Sequence, residues 1–352
     1  MPPTSNRPSP AGVIGAGSFG TAVARLLSVN TDVLLYSRQT DLVDMINKEH
    51  RHPNYEVTLS ERVRATSDLQ EIAERCLLIF PIVPSDGFRD MMQSLSPYLR
   101  PYHLLIHGTK GFDLKNLSDE DLRKGLITRQ SVRTISEVIR EESSVVRIGC
   151  LSGPNLANEI MEGQPTATVI GSRFDEVINA GKRALSSKYF QVFGTYEILG
   201  AELAGALKNI IAIGSGILSG LGMGKNIQAL LVTRGLMEMI YYGKAFGASP
   251  KPFVGTAGIG DLVCTATSMS SRNFTFGHRL GSGEPKDAIL ASMPETAEGV
   301  RTLKIAKFLA DHLKLHVPIT QMLYKAVHEG YDLNQAIEYL MRYPYYVDVD
   351  FM

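Results

Sequence analysis

AGVIGAGSFGTAVARLLSVNTDVLLY, residues 11–36, is the stretch whose reading decides the fold. Its apolar opening, residues 11–14, reads as a buried strand, and Gly15, Gly17 and Gly20 follow at GxGxxG spacing. Ala24, Leu26 and Leu27 then continue a helical pattern, and residues 32–36 form a second strand. Strand, glycine turn, helix and strand together make the context in which this spacing signals dinucleotide binding. Gly15 permits the tight turn, Gly17 lets the backbone approach a pyrophosphate, and Gly20 lets the helix pack closely on its strand. The helix N-terminus adds N–H groups and a positive dipole. An NAD-specific domain usually places an acid at the end of the second strand, but Ser37 and Arg38 stand there. No carboxylate holds a ribose 2′-hydroxyl, and the arginine suits a 2′-phosphate, which favours NADP(H), or use of both NADP(H) and NAD(H).

Further along, buried strands are expected over 77–83, 104–107, 145–151 and 167–170, with helical patterns between them at 87–95, 131–142 and 174–187. This alternation argues for an α/β, Rossmann-type domain built on a doubly wound parallel sheet. Gly108-Thr-Lys110-Gly111 and Ser152-Gly153-Pro-Asn155-Leu-Ala157 follow two of the strands and would emerge at the carboxyl edge, where such folds bind ligands. The polar run 113–129 reads as a surface insertion. From Ala201 onward the patterns are helical only, at 201–220, 226–246, 301–313, 318–329 and 333–342. The expected organisation is an N-terminal tail over 1–10, a dinucleotide-binding domain over 11–200 and an all-helical substrate domain over 201–352.

The first of those helices has the composition of a membrane span, yet it carries Lys208 and Asn209 within its run, and the segment 201–224 holds six glycines. On a helical wheel, Leu203, Leu207, Ile210, Ile211, Ile217, Leu218 and Leu221 make a bulky face. Ala201, Ala204, Gly205, Lys208, Ala212, Ser215, Gly216 and Ser219 make a small one. A small face lets another molecule approach the backbone, and a lysine on it would be desolvated, its pKa lowered towards neutrality. The core-helix reading is preferred to a membrane span, and the helix is expected to line a cleft between the two domains.

Composition narrows the function classes. Lysine plus arginine equals aspartate plus glutamate, 36 each in 352 residues, so no charge excess points to nucleic acid or anionic lipid. Cys76, Cys150 and Cys264 are few and dispersed, which suits free thiols in a reducing, cytoplasmic compartment. The first ten residues hold four prolines and no apolar core, unlike a signal peptide. No spacing of cysteine, histidine or acidic residues suggests a metal, and His107 and Cys264 read as packing residues.

Two loops complete the pattern: Gly258-Ile-Gly260-Asp261-Leu262 running on to Ser271-Arg272-Asn273, and Glu298-Gly299-Val-Arg301-Thr302. GAGSFGTA, VPS at 83–85, TKG, LSGPNLANE, GALKN, GIGDL with SRN, and EGVRT occur in an order and spacing that resembles bacterial-type NAD(P)-dependent glycerol-3-phosphate dehydrogenase from Gly12 to about Pro318. The resemblance implies reversible hydride transfer between a nicotinamide and carbon 2 of dihydroxyacetone phosphate, giving sn-glycerol 3-phosphate for glycerophospholipid synthesis. It places Ser18, Phe19, Arg38, Tyr55, Lys110, Ala157, Arg272 and Glu298 on cofactor positions, beside the glycine turn. It places Lys110, Gly153, Asn155, Lys208, Asp261, Ser271, Arg272 and Asn273 on substrate positions, with Lys208, Asp261 and Lys110 catalytic and Lys208 the proton acceptor. Asn155 stands where many bacterial members have serine or threonine, and the 113–129 segment is longer than usual. The oligomeric state stays open, with a homodimer among the options.

The chemistry agrees with these roles. Hydride delivery builds charge on the ketone oxygen, which a lysine stabilises and protonates; Asp261 could orient that lysine, and Arg272 with Asn273 suits a phosphate. A β-hydroxyacid dehydrogenase of Rossmann type would also carry Lys and Asn on its central helix but has no need of the SRN loop. A non-catalytic dinucleotide sensor would not need Lys208, Asp261 and Arg272.

Overall fold

The computed structural model describes residues 9–344 and Asp348, so the tail expected over 1–10 lies outside the described residues up to position 8. The apolar run Ala11–Ile14 forms β1, buried at every position. Around it an eight-stranded sheet takes the order β8-β7-β6-β5-β4-β1-β2-β3. The other strands are β2 (Val33–Tyr36), β3 (Val63–Thr66), β4 (Leu78–Pro81), β5 (Leu104–His107), β6 (Arg147–Ser152), β7 (Thr166–Ser172) and β8 (Phe190–Thr195). β1 pairs in parallel with β2 from Ala11 opposite Val33 to Ile14 opposite Tyr36, and on its other edge with β4. Helix α1, Ser18–Leu27, buries Gly20, Ala22, Val23, Ala24 and Leu27.

The sheet departs from the all-parallel expectation at one junction, where β6 and β7 run antiparallel from Gly149 opposite Ser172 to Ser152 opposite Val169. The connection between them spends its one helix, Ala157–Glu162, against α1 and does not build the crossover a parallel pair needs. β3 and β8 were not expected as strands; both lie at the sheet's edges, and in β8 buried Phe190 and Val192 alternate with exposed Gln191 and Phe193. No disulfide joins Cys76, Cys150 and Cys264.

By its internal contacts the chain divides into two compact units, one comprising residues up to Thr109 with Ile135–Ile198, the other Lys110–Thr134 with Leu199 onward. The second unit is helical: α2 (Ile198–Gly220), α3 (Lys225–Ala245), α4 (Asp261–Thr267), α5 (Arg272–Gly281), α6 (Glu298–Leu313), α7 (Pro318–His328) and α8 (Leu333–Met341), with a short helix Lys286–Ser292. The 113–129 run is not a surface insertion. Leu122 and Ile127 within it, with Phe112 and Val132 beside it, are buried in the helical core. Arg301 donates to the Phe112 carbonyl, Lys304 pairs with Asp119 at 2.6 Å, and Arg129 lies 4.0 Å over Phe246. The polar residues of this run cover four apolar anchors spaced too irregularly to register as an element.

Helix α2 is long and apolar enough to cross a membrane, but it is the core helix of this unit, buried throughout Ala201–Leu218. Its small face serves packing. A Cβ on Gly216 would lie 2.1 Å from the Phe274 carbonyl oxygen and one on Gly220 2.1 Å from that of His278; reciprocally, one on Gly277 would lie 2.1 Å from the Ile213 oxygen. Helices α2 and α5 therefore touch backbone to backbone, and part of the face expected to admit another molecule is occupied by α5. Ser215 on the same face ties α2 to α4 by donating to the Ala266 carbonyl at 2.6 Å.

Among the described residues Glu238 on α3 pairs with no cation and instead caps α7. Its oxygens accept from Ile319 N at 2.6 Å, Thr320 N at 2.9 Å and Thr320 Oγ1 at 2.7 Å, satisfying donors that a helix start leaves open. Burial pushes its carboxyl up from 4.5 to about 7, against the lowering effect of those bonds. Between pH 4.5 and 7 the unfolded chain gives up a proton that the folded chain keeps, so this group's contribution is full below 4.5 and lost as pH rises. The difference amounts to about 3 kcal/mol. Glu238→Gln is expected to abolish that slope, at a steady cost of about 1–3 kcal/mol for the donor it leaves unpaired. Urea unfolding of both proteins between pH 4.5 and 7.5 checks this; parallel pH dependences would refute it.

Candidate active site

The site in the helical unit is organised by Asp261. A π-helical turn, Thr256–Gly260, feeds the chain into α4 so that Asp261 is its first residue, and the side chain is 1 % exposed. Lys208, one charge in the apolar middle of α2 and 5 % exposed, donates to Asp261 Oδ1 and to Thr265 Oγ1. Thr265 lies one turn after Asp261 and in turn donates to Asp261 Oδ1 at 3.2 Å. Lys110 pairs with the other carboxylate oxygen at 2.6 Å. Asn209, beside Lys208 in sequence, donates to the Lys110 carbonyl at 3.4 Å and holds that segment against α2.

Burial lowers the Lys208 pKa from 10.5 to about 8, with the Lys110 charge pushing the same way and Asp261 opposing. Burial pulls the Asp261 carboxyl up, but the two ammonium groups outweigh it and hold it below the usual carboxylate range. The result is one permanently ionised acid between two lysines, one of which exchanges a proton near neutrality. That is the behaviour required of a general acid–base group.

A second cluster is anchored to the same helix. Gly299, early in α6, sits where a Cβ would meet Asn209 O at 2.8 Å, and its N–H donates to Asn273 Oδ1 at 2.8 Å. The starts of α5 and α6 are thereby tied beside Lys208's neighbour. Ser271 caps α5, accepting from Phe274 N at 3.3 Å, so the Ser271 and Asn273 side-chain oxygens both accept from helix-start amides. Arg272 is the exposed member, pairing with Glu295 at 2.9 Å and donating to Thr296 O at 3.4 Å. Glu298 opens α6, partly buried.

The first unit carries the glycine turn. Gly15 has φ +111°, and a Cβ there would lie 2.1 Å from Ile82 O; one on Gly20 would lie 1.8 Å from Gly15 O. Gly17 caps α1 in an extended conformation, with Ser18 and Phe19 in the first turn. With glycine at 15, 17 and 20 the turn itself carries few side chains, and such a helix start suits a pyrophosphate. His52 braces it: Nε2 donates to Ala16 O at 2.9 Å, Nδ1 accepts from Asn54 N at 3.2 Å, and the ring packs at a tilt against Tyr55, centroids 4.4 Å apart. Arg38 is exposed and makes no bond among the described residues, while Ser37 accepts from Gln39 N at 3.1 Å. Gly153 has φ +130°. Asn155 donates to Pro154 O at 3.0 Å and Ala167 O at 3.3 Å and accepts from Thr168 at 2.8 Å, so its amide holds its own loop to β7. Ala157 opens the helix that packs on α1.

The structure brings together Lys110, Lys208 and Asp261, and separately Ser271, Arg272 and Asn273 with the start of α6. Three contributors were given no site role from the sequence: Thr265, His52 and Asn209, the last named only as a polar residue within its helix. Thr265 had a signal, the i+4 spacing from Asp261 on a short helix; His52 had none beyond its nearness to Tyr55.

Family models agree with both halves of the chain. That for the NAD-dependent glycerol-3-phosphate dehydrogenase N-terminus matches residues 10–178, and that for the C-terminus matches residues 197–338. The glycerol-3-phosphate dehydrogenase [NAD(P)+] of Ectopseudomonas mendocina is 38 % identical over 346 residues, 97 % of each chain, and that of Azotobacter vinelandii is equally similar over the same length. A solved glycerol-3-phosphate dehydrogenase from Coxiella burnetii superposes with TM-score 0.85 at 32 % identity, covering 95 % of this chain and 99 % of its own. A ketopantoate reductase from Ralstonia eutropha shares the fold at TM-score 0.56 and 15 % identity, covering 91 % of this chain and 97 % of its own.

Proposed function

The chain belongs to the NAD-dependent glycerol-3-phosphate dehydrogenase family, and from that premise we propose that Lys208 is the proton donor and acceptor of its reaction, with Asp261 and Lys110 setting its charge. It is an NAD(P)-dependent oxidoreductase that interconverts dihydroxyacetone phosphate and sn-glycerol 3-phosphate. A bound nicotinamide cofactor supplies the hydride for carbon 2 in one direction and accepts it in the other. In reduction the Lys208 ammonium stabilises the negative charge gathering on the ketone oxygen and gives it a proton; in oxidation the neutral amine takes the hydroxyl proton. Asp261 stays ionised throughout and aims Lys208 together with Thr265. Arg272 offers a planar fork to the substrate phosphate. The observation that carries the reading is a buried lysine poised near pH 8 between a carboxylate and a hydroxyl. The cytoplasm is the compartment proposed for it, on the strength of three cysteines joined by no disulfide.

Oxidation of NADPH and of NADH, followed separately with dihydroxyacetone phosphate, tests the activity. The bare Arg38 at the end of β2 motivates use of NADPH at least as readily as NADH. Arg38→Asp is expected to raise KM for NADPH about tenfold, the worth of a charge-assisted bond at an exposed site, with far less effect on NADH. Equal changes for the two cofactors would remove Arg38 from 2′-phosphate recognition.

A further inference from the structure

We propose that Glu295 is an internal anion that occupies Arg272 until the substrate phosphate replaces it, so that phosphate binding is an exchange rather than a simple addition. The inference rests on the reading of Arg272 as the phosphate partner.

One partner comes from a packed helix and the other from the short loop before the next one. Arg272 is the first residue of α5, whose glycines lie against the α2 backbone, and Glu295 lies three residues before α6, whose start is tied to α5 through Gly299 and Asn273. Their meeting is therefore set on one side by the packed start of α5 and on the other by the short loop that leads into α6. Only one guanidinium nitrogen, Nη1, makes the contacts, to Glu295 Oε2 at 2.9 Å and Thr296 O at 3.4 Å, so among the described residues the fork is not used in its two-pronged form. The side chains are 46 % and 29 % exposed. A one-pronged pair in partial contact with water is weak and exchangeable. A phosphate monoester brings a charge near −2 and three acceptor oxygens, which a guanidinium binds through two parallel bonds. Glu295 thus holds the arginine in the vicinity of its ligand and excludes weaker, singly charged anions. It also opposes the phosphate until it moves away, because two anions cannot share one guanidinium without repulsion.

The expected consequence is a gain on removal. Glu295→Gln keeps the shape and removes the charge, and it should lower KM for dihydroxyacetone phosphate about three- to tenfold. The dissociation constant of inorganic phosphate, measured by calorimetry without turnover, should fall by a similar factor. Turnover of dihydroxyacetone, which lacks the phosphate, should not improve. In an Arg272→Ala background Glu295→Gln should change nothing, since the competing pair is already gone.

The outcomes separate the two ideas. If Arg272→Ala retains the full preference for the phosphorylated substrate, the reading of Arg272 fails and this inference with it. If Arg272→Ala narrows that preference while Glu295→Gln leaves both KM and phosphate affinity unchanged, only the exchange is refuted. A rise in KM with Glu295→Gln would also overturn it, showing that Glu295 aims the arginine instead of competing for it.

Discussion

Lys208→Ala is expected to lower kcat by about 10²–10⁴-fold, the usual worth of a positioned acid–base group. Alanine removes the cation that meets the developing oxyanion together with the proton that ends the step. The loss should fall on kcat more than on cofactor KM, because the residues assigned to the cofactor turn belong to the first unit. Asp261 remains paired with Lys110 in the variant, so the fold should persist. The pH dependence gives the sharper signature. Lys208 titrates near 8, so ketone reduction, which needs the ammonium, should decline as pH rises through 8. Alcohol oxidation, which needs the amine, should grow over the same range. Both limbs should be absent from Lys208→Ala. Steady-state rates in both directions between pH 6 and 10 decide the matter, and a variant with wild-type kcat would end the claim that Lys208 moves the proton.

Asp261→Asn should be nearly as damaging, by another route. The wild-type carboxylate neutralises two ammonium groups from inside the core, and removing one partner of a buried pair costs about 3–5 kcal/mol. Here the strain has an outlet. Lys208 loses the partner that holds its pKa up against burial and the Lys110 charge, so its pKa should fall below about 8 and the proton leave at lower pH. Reduction at pH 7 should drop on the order of 10–100-fold, with its limb displaced towards acid. Stability should be lost most at low pH, where both lysines are charged, and recover as Lys208 becomes neutral. Chemical denaturation across pH, set beside the pH–rate profile, checks both. An unmoved limb with unchanged stability would mean that Asp261 neither neutralises nor orients the lysine.

Elements whose marks are local were legible in the sequence. The run 11–36 announced β1, the glycine turn, α1 and β2, because the need for glycine at Gly15 and Gly20 comes from atoms a few residues away or on the adjacent strand. Five helices of the second unit, α2, α3, α6, α7 and α8, appeared within about three residues of their observed ends, since a 3.6-residue period is written along the chain itself. By contrast α4 and α5, read as loops, are too short and glycine- and polar-rich to show that period. Lys208 stood out as one charge in an apolar run, and its lowered pKa follows from burial that the run implies.

Tertiary structure alone decided what depends on partners distant in the chain. Lys110 and Asp261 are 151 residues apart, and no periodicity marks their shared carboxylate. The 113–129 run looks like surface by composition, yet Leu122 and Ile127 are buried because α6 and α3 supply the other walls. The small face of α2 was visible, but its occupant was not: glycines permit close approach by any backbone, and only packing showed that Gly277 and Gly281 of α5 fill part of it. The side-chain oxygens of Ser271 and Asn273 proved to hold helix starts, bonds that no spacing in the sequence marks, beside the exposed Arg272. Sequence by itself determined which side chains are candidates for the chemistry, because charge and shape belong to the residue. Their distances, charge states and competitors were decided by the fold, because those belong to pairs.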